Sequence, residues 1–339
     1  MPKLDEITAE RGESKAARQR SDMLRRLTGA GPVLALVFLL FVFTAINPGF
    51  ATGANLRALL DQAALPLILV SGASLVIVLG CIDLSLEGAM AASGLTFVLL
   101  VANDVNTNDF GYAAVVAGVL AGGAVGLANG LIHTKLRIPS FMVTLGTWSI
   151  ALGVGTVLFG AGTPQITDAA TLSSLTGSVF GIPMSIVIAG VVVAVASVIS
   201  RSTRLGRYAY AIGGDESVVR LGSVPIDRYK TGVFVLAGLC TGLAGVLGCA
   251  RLGVGSVDVG TGQLFTTISA VVLGGTLLSG GRGGVLQSVV GVGLLTVLGN
   301  GLVLAGVSPY VQQAIQGVVI IIAVAATGWR ARSRLRIVK

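Results

Sequence analysis

Apolar runs of sixteen to twenty-one residues recur along the chain, near 31–46, 63–80, 84–102, 112–132, 141–161, 182–200, 231–250, 264–279, 285–305 and 312–327. None alternates in polarity, which excludes a membrane β-barrel built from short two-faced strands. Each comes close to the roughly 20 residues that carry an α-helix across a hydrocarbon core about 30 Å thick. The pattern therefore predicts an all-α polytopic membrane protein with about ten transmembrane helices.

One long polar segment interrupts this pattern. Residues 201–230 read RSTRLGRYAYAIGGDESVVRLGSVPIDRYK and carry six basic residues: Arg201, Arg204, Arg207, Arg220, Arg228 and Lys230. A short helix is encoded inside it. Gly213-Gly214 makes a turn, Asp215 is a good N-cap, Glu216 suits the positive helix start, Arg220 suits the last turn, and Gly222 can close it. A capped helix in a polar loop is a feature that a partner could grip.

Composition agrees with the hydropathy. Hydrophobic residues make up 53% of the chain and charged residues only 11%, against about a quarter charged in a soluble domain. The net charge of +8 would suit nucleic acid, but no folded soluble module accompanies it. Its distribution fits a membrane better. With the N-terminus inside, twenty-one basic residues fall in inner segments and only Arg57 and Arg251 fall outside. That split follows the positive-inside rule and places both termini in the cytoplasm.

The domain organisation follows. Residues 1–30 form a basic cytoplasmic arm (Arg11, Lys15, Arg18, Arg20, Arg25, Arg26) without the features of a secretory signal. Residues 31–327 form the transmembrane domain, which contains the 201–230 loop. Residues 328–339 form a basic tail, and both basic ends can touch anionic lipid. Asp61, Asp104, Asp109, Asp168 and Asp258 fall on the outer side. Three cysteines (Cys81, Cys240, Cys249) without a CxxC pair predict neither a disulfide framework nor a metal site. The single histidine, His133, cannot build a metal site by itself.

Two internal patterns concern packing. The fourth run ends in Asn129-Gly130-Leu131 with Pro139 beyond it, and the ninth ends in Asn300-Gly301-Leu302 with Pro309 beyond it. If these correspond, the chain holds two five-span repeats, inverted relative to each other, a habit of transporters with their pathway at the repeat interface. Gly118, Gly122, Gly126 and Gly130 form a smooth stripe on the fourth span. Close packing within one subunit is preferred to a subunit contact as its role.

Catalytic and nucleotide-binding motifs are absent. The chain holds no GxxxxGK[ST], no GxSxG and no HExxH, so it neither cradles ATP phosphates nor performs hydrolysis in those ways. It should move something, with the energy supplied elsewhere. The exceptional intramembrane acids are Asp83 and Glu87, in GCIDLSLEG. A carboxylate at bilayer depth is by default a functional hypothesis. Against that, Asp83 can cap the helix that follows and Glu87 can sit in its first turn. An ion-coupled secondary transporter would use the pair as its ion site.

The motifs VLGCIDLSLEG, NGLIHTKLRIPSFMVTLGTWSIALG, TRLGRYAYAIGGDESVVRLG, ISAVVLGGTLLSGGRGG and NGLVLAGVSPYVQQAIQG resemble, in order, those of the permease subunits of bacterial ribose/xylose-type monosaccharide ABC importers. The resemblance covers nearly the whole chain after the arm. It implies a multi-pass subunit of the bacterial cytoplasmic membrane that forms a homodimeric pore for a monosaccharide or related small polar solute. A separate ABC ATPase, which carries the ATP and magnesium, would engage it inside, and an extracytoplasmic substrate-binding protein outside. Asp215, Glu216, Val218, Val219, Arg220 and Leu221 then look like the coupling helix. For a neutral cargo the path candidates are Ser85, Asn129, Thr144, Thr147, Trp148, Asn300 and Gln312, each also able to serve as an interhelical bond or cap. Cys81 and Glu87 stand where relatives usually have glycine-like residues, and Leu264 and Thr266 where they are frequently acidic. Permeases for nucleosides or branched-chain amino acids share the architecture and are the nearest alternative; a membrane scaffold that uses the loop only to bind a partner is a weaker one.

Overall fold

A computed structural model describes residues 31–159 and 162–329, so the basic arm and the terminal basic cluster lie outside the described residues. The described chain is helical apart from one two-stranded hairpin. In order it comprises α1 (Gly31–Ile46), a 3-10 turn (Pro48–Ala51), α2 (Gly53–Val78), α3 (Leu86–Leu100), α4 (Tyr112–Lys135), α5 (Ser140–Phe159) and α6 (Ala169–Thr176). After the hairpin β1 (Ser178–Val179) and β2 (Ile182–Pro183) come α7 (Met184–Ser202), α8 (Arg204–Gly214), α9 (Glu216–Leu221) and α10 (Ile226–Leu252). The chain closes with α11 (Gln263–Leu273), α12 (Val285–Leu304) and α13 (Pro309–Trp329).

Every apolar run contains a helix, with boundaries set by local chemistry. The second starts at Gly53 rather than 63, because the Thr52 hydroxyl accepts the Asn55 amide and caps it. The eighth stops at Leu273 rather than 279, because a glycine-rich turn follows, with φ of +100° at Gly275 and +84° at Gly280. Six of the described helices are long and apolar enough to cross a membrane. Two are not. With 15 residues, α3 reaches about 22 Å, and α11, with 11, about 16 Å at 1.5 Å per residue, short of a ~30 Å core. Non-helical backbone precedes each. The segment before α3 buries Cys81, Asp83 and Ser85. The segment before α11 runs back along α3, with Gly255 against Leu95 and Val98 and Gly260 against the backbone of Glu87. Irregular backbone enclosed by protein in this way is tolerated inside a membrane.

Two stretches of the chain show the same order of helix lengths, a long helix, a short one and two long ones. Helices α2, α3, α4 and α5 have 26, 15, 24 and 20 residues. Helices α10, α11, α12 and α13 have 27, 11, 20 and 21. Each Asn-Gly-Leu lies near the end of its helix, and each proline that follows opens the next one.

The centre is the contact of α4 with α10. A Cβ on Gly122 would lie 2.5 Å from the Gly238 carbonyl and from the Gly242 Cα, and one on Gly126 would strike the Phe234 carbonyl. The glycine stripe is thus answered by glycines of α10 in the same chain. The bundle has two distinct ends. At one, bridges join Asn103 to Ile166 and Gln165 to Val254. At the other, basic, end, the Gly281 amide donates to Val78 (2.8 Å) and Tyr210 Oη donates to the Gly283 carbonyl (2.8 Å).

Candidate functional site

The segment between α2 and α3 is held by a chain of short hydrogen bonds to α4 and α5. Ser140 Oγ accepts the Ile82 amide (3.1 Å) and Thr144 Oγ1 accepts the Leu84 amide (2.9 Å). Asp83 Oδ1 accepts both the amide (2.8 Å) and the hydroxyl (2.6 Å) of Ser85. Ser85 Oγ in turn accepts from Asn129 Nδ2 (2.8 Å), and Asn129 Oδ1 accepts from Thr147 Oγ1 (2.6 Å). Ser85, Asn129, Thr144 and Thr147 therefore converge on one place, but they face one another. Asn129 and Thr144 are fully buried. Ser140 belongs to this group and was not among the sequence candidates; its position directly after Pro139, at a helix start, is the signal that could have found it.

The other candidates lie elsewhere. Asn300 exchanges two amide bonds of 3.0 Å with Asn55, tying α12 to the start of α2. Gln312 Nε2 donates to the Val307 carbonyl (2.7 Å) and closes the turn before α13. Trp148 packs its backbone against Gly88, and its indole Nε1 is buried without a partner among the described residues.

The two acids have separate duties. Asp83 stabilises the turn ahead of α3 rather than that helix's first amides, because Ser85 is the N-cap residue. Glu87 lies in the first turn of α3, yet its Oε1 accepts the amides of Gly262 (3.0 Å) and Leu264 (3.3 Å) at the start of α11. Each acid thus sits beside the positive end of one short helix, where partial positive charge favours a carboxylate. Among the described residues no group of three or more His, Cys, Asp or Glu side chains could hold a metal ion.

The basic end carries the polar loop. Asp215 is the N-cap of α9, and its Oδ1 accepts the amides of Ser217 (3.0 Å) and Val218 (3.3 Å). The Ser217 hydroxyl and those amides hold the Asp215 carboxyl below its usual range. Glu216 bridges Arg220 and Lys230 at 2.7 Å each. Burial pushes its carboxyl up, but the Lys230 bond and charge, with those of Arg220, outweigh this and hold it low. Val219 packs inward on the core around Ile226, whereas Val218 and Leu221 are 61% and 87% exposed. Two bare apolar side chains on a short charged helix form a surface that suits a protein partner.

From α9 the contacts lead inward. Gly214, the last residue of α8, and Gly213 lie against Gly281, and Gly213 touches the Val78 carbonyl where α2 ends. Gly80 in turn approaches Gly213 and Gly280. The loops next to both short helices are therefore in contact with the helix that carries α9.

Residues 55–324 match the family described as "Branched-chain amino acid transport system / permease component". The chain is 36% identical over 297 residues to the ribose import permease protein RbsC of Escherichia coli (strain K12), covering 86% of this chain and 91% of that protein. It is 30% identical to the D-allose transport system permease protein AlsC of the same strain, covering 87% and 90%. It is also 30% identical to the L-arabinose ABC transporter permease protein AraH of Azospirillum brasilense, covering 94% and 93%. No solved structure matches.

Proposed function

The chain belongs to the branched-chain amino acid transport system / permease component family, and from that membership we propose that it is the membrane permease of a bacterial ABC importer whose cargo is a monosaccharide. The observation that carries the cargo class is the similarity, along most of both chains, to permeases named for ribose, allose and arabinose. Neutral hydroxyl and amide side chains inside the bundle suit such a solute, since a passage must bind its cargo weakly and release it.

In this reading the ten helices form two inverted five-helix halves, supported by the shared order of long and short helices and the paired Asn-Gly-Leu positions. Both termini lie in the cytoplasm with the basic end. Two copies assemble around the pore, an ATPase grips α9 inside, and a substrate-binding protein delivers the sugar outside. Asp215, Glu216, Val218, Arg220 and Leu221 form the docking element. Closure of the ATPases displaces α9, and α8 passes the displacement to Gly80 and Gly281. The loops beside the two short helices then shift, biasing the pore between inward and outward access. The energy comes from differential binding of the two states.

The test is reconstitution with the cognate ATPase and binding protein. ATP-dependent uptake of ribose, allose or arabinose into proteoliposomes is the expected result. Uptake of leucine or a nucleoside in their place would reassign the cargo. Uptake by the chain alone on a proton or sodium gradient would sink the ABC reading.

A further inference from the structure

A second group of polar side chains, absent from the sequence candidates, surrounds a cavity of about 160 Å³ between α2, α11, α12 and α13. Gln62, Thr266, Thr296 and Gln316 line it, one from each helix, and no charged residue does. Val292 and Leu295 supply an apolar wall. Pro66, in the interior of α2, adds one more polar group. It has no amide hydrogen, so the carbonyl of Gln62, one turn earlier, loses its ordinary helical partner.

These groups are available for a ligand, unlike the network around Ser85 and Asn129. Among the described residues no hydrogen bond within the protein occupies the side chains of Gln62, Thr296 or Gln316, and Thr266 donates only to the Gly262 carbonyl (3.0 Å). Gly299 leaves space beside the Gln316 amide: a Cβ there would lie 3.5 Å from Nε2. In the two-half reading proposed above, the cavity also sits where the halves meet, since α2 belongs to the first and α11, α12 and α13 to the second. It abuts the first turn of α11, the short helix that begins inside the bundle. Sites between repeats, beside interrupted helices, are where alternating access can expose a ligand to either side.

We propose that this cavity is a station for the monosaccharide on its way through the permease, an inference that rests on the importer reading above. The chemistry is that of a neutral polyhydroxyl ligand. Two amides offer paired donors and acceptors, two hydroxyls offer either, and the Val292–Leu295 wall meets the C–H face of a sugar ring. The absence of charge keeps binding weak, as a station within a pathway requires.

The test uses the reconstituted complex with its ATPase and binding protein. Thr296→Val and Gln316→Leu each remove hydrogen-bonding capacity with little change in volume, and sugar uptake falls roughly five- to tenfold for each. ATP hydrolysis stimulated by the loaded binding protein and the melting temperature stay near wild type. A second arm needs no loss of function. Thr296→Cys is labelled by a small thiol reagent while Cys81, Cys240 and Cys249 remain buried, and ribose, allose or arabinose slows the labelling whereas leucine does not. Wild-type sugar uptake with unaffected variants and no protection overturns the station but leaves the importer reading intact. Failure of wild-type sugar uptake removes the importer reading itself. Protection by leucine as readily as by sugar overturns the assignment to polyhydroxyl ligands.

Discussion

The Glu87 carboxylate, on α3, accepts the backbone amide of Gly262 at 3.0 Å, on the threshold of α11. Helix α11 has no acidic residue in its own first turn, and Gly262 offers no side-chain cap, so the neighbouring short helix supplies the carboxylate. Glu87→Ala is expected to lower stability by about 1 kcal/mol, the usual worth of a cap, with Glu87→Gln intermediate. Leu264→Glu introduced beside Glu87→Ala restores part of the loss, since it places a carboxylate in the turn that needs it. Thermal unfolding in detergent measures all three. An unchanged melting temperature in Glu87→Ala would show that the bond contributes nothing.

Asp215 acts on α9 as an acceptor of hydrogen bonds from Ser217 and Val218. Asp215→Asn keeps a side-chain oxygen for the Ser217 and Val218 amides and retains transport; Asp215→Ala loses it and uncouples ATP hydrolysis from uptake. The membrane bundle melts as wild type in both. Equal uncoupling in the two variants would assign the role to the charge instead.

Glu216 gives a pH signature with a definite sign. Its carboxyl is held low in the folded protein, so its contribution is complete above the unfolded value of about 4.3 and is lost as pH falls through the lower folded value. The melting difference between wild type and Glu216→Gln should stay level from about pH 8 to pH 5 and close below about pH 4. Arg220 is 65% exposed while Lys230 is only 13% exposed, so screening leaves Lys230 the stronger partner. Lys230→Met therefore moves the closure to higher pH. A difference that grows toward alkaline pH contradicts this assignment.

What was legible from the sequence depended on distance along the chain. The Asp215 cap acts over two and three residues, and the residue types alone imply it. The apolar runs located the helices because hydropathy is a local property. Glu87 could be placed in its own helix but not matched to Gly262, which lies 175 residues away. The stripe at Gly118, Gly122, Gly126 and Gly130 showed a close contact, but only the fold identifies α10 as its partner. The four polar residues of the Gln316 cavity come from four helices, and none has a distinctive local pattern. Thr266 stood out only as a position where relatives are frequently acidic, and Pro66, inside an apolar run, does not say what its freed carbonyl faces.

The stripe has a direct test. Gly122→Ala forces its Cβ to within 2.5 Å of the Gly238 carbonyl, an overpacking expected to cost about 1–3 kcal/mol. Gly146→Ala and Gly153→Ala on α5, where nothing lies within 4 Å, should be neutral or slightly stabilising. If the stripe holds one subunit together, Gly122→Ala lowers the melting temperature and leaves the oligomeric state of the folded protein unchanged. Dissociation at an unchanged melting temperature would instead assign the stripe to a subunit contact.

The network around Ser85 makes the opposite demand on transport experiments. Thr144 Oγ1 is the acceptor for the Leu84 amide at 2.9 Å, and Thr144 is fully buried. Thr144→Val leaves that amide without its partner, at a cost of about 1–3 kcal/mol, whereas Thr144→Ser retains the oxygen. Because the oxygen is already bonded to backbone, its loss should lower stability without changing the sugar concentration at half-maximal uptake by the fraction that stays folded. Residues of a binding station behave in the reverse way: Thr296→Val should change uptake and leave melting alone. If Thr144→Val shifted the half-maximal concentration while the melting temperature held, the hydroxyl would belong to the pathway, and the network would have to open during transport to present it.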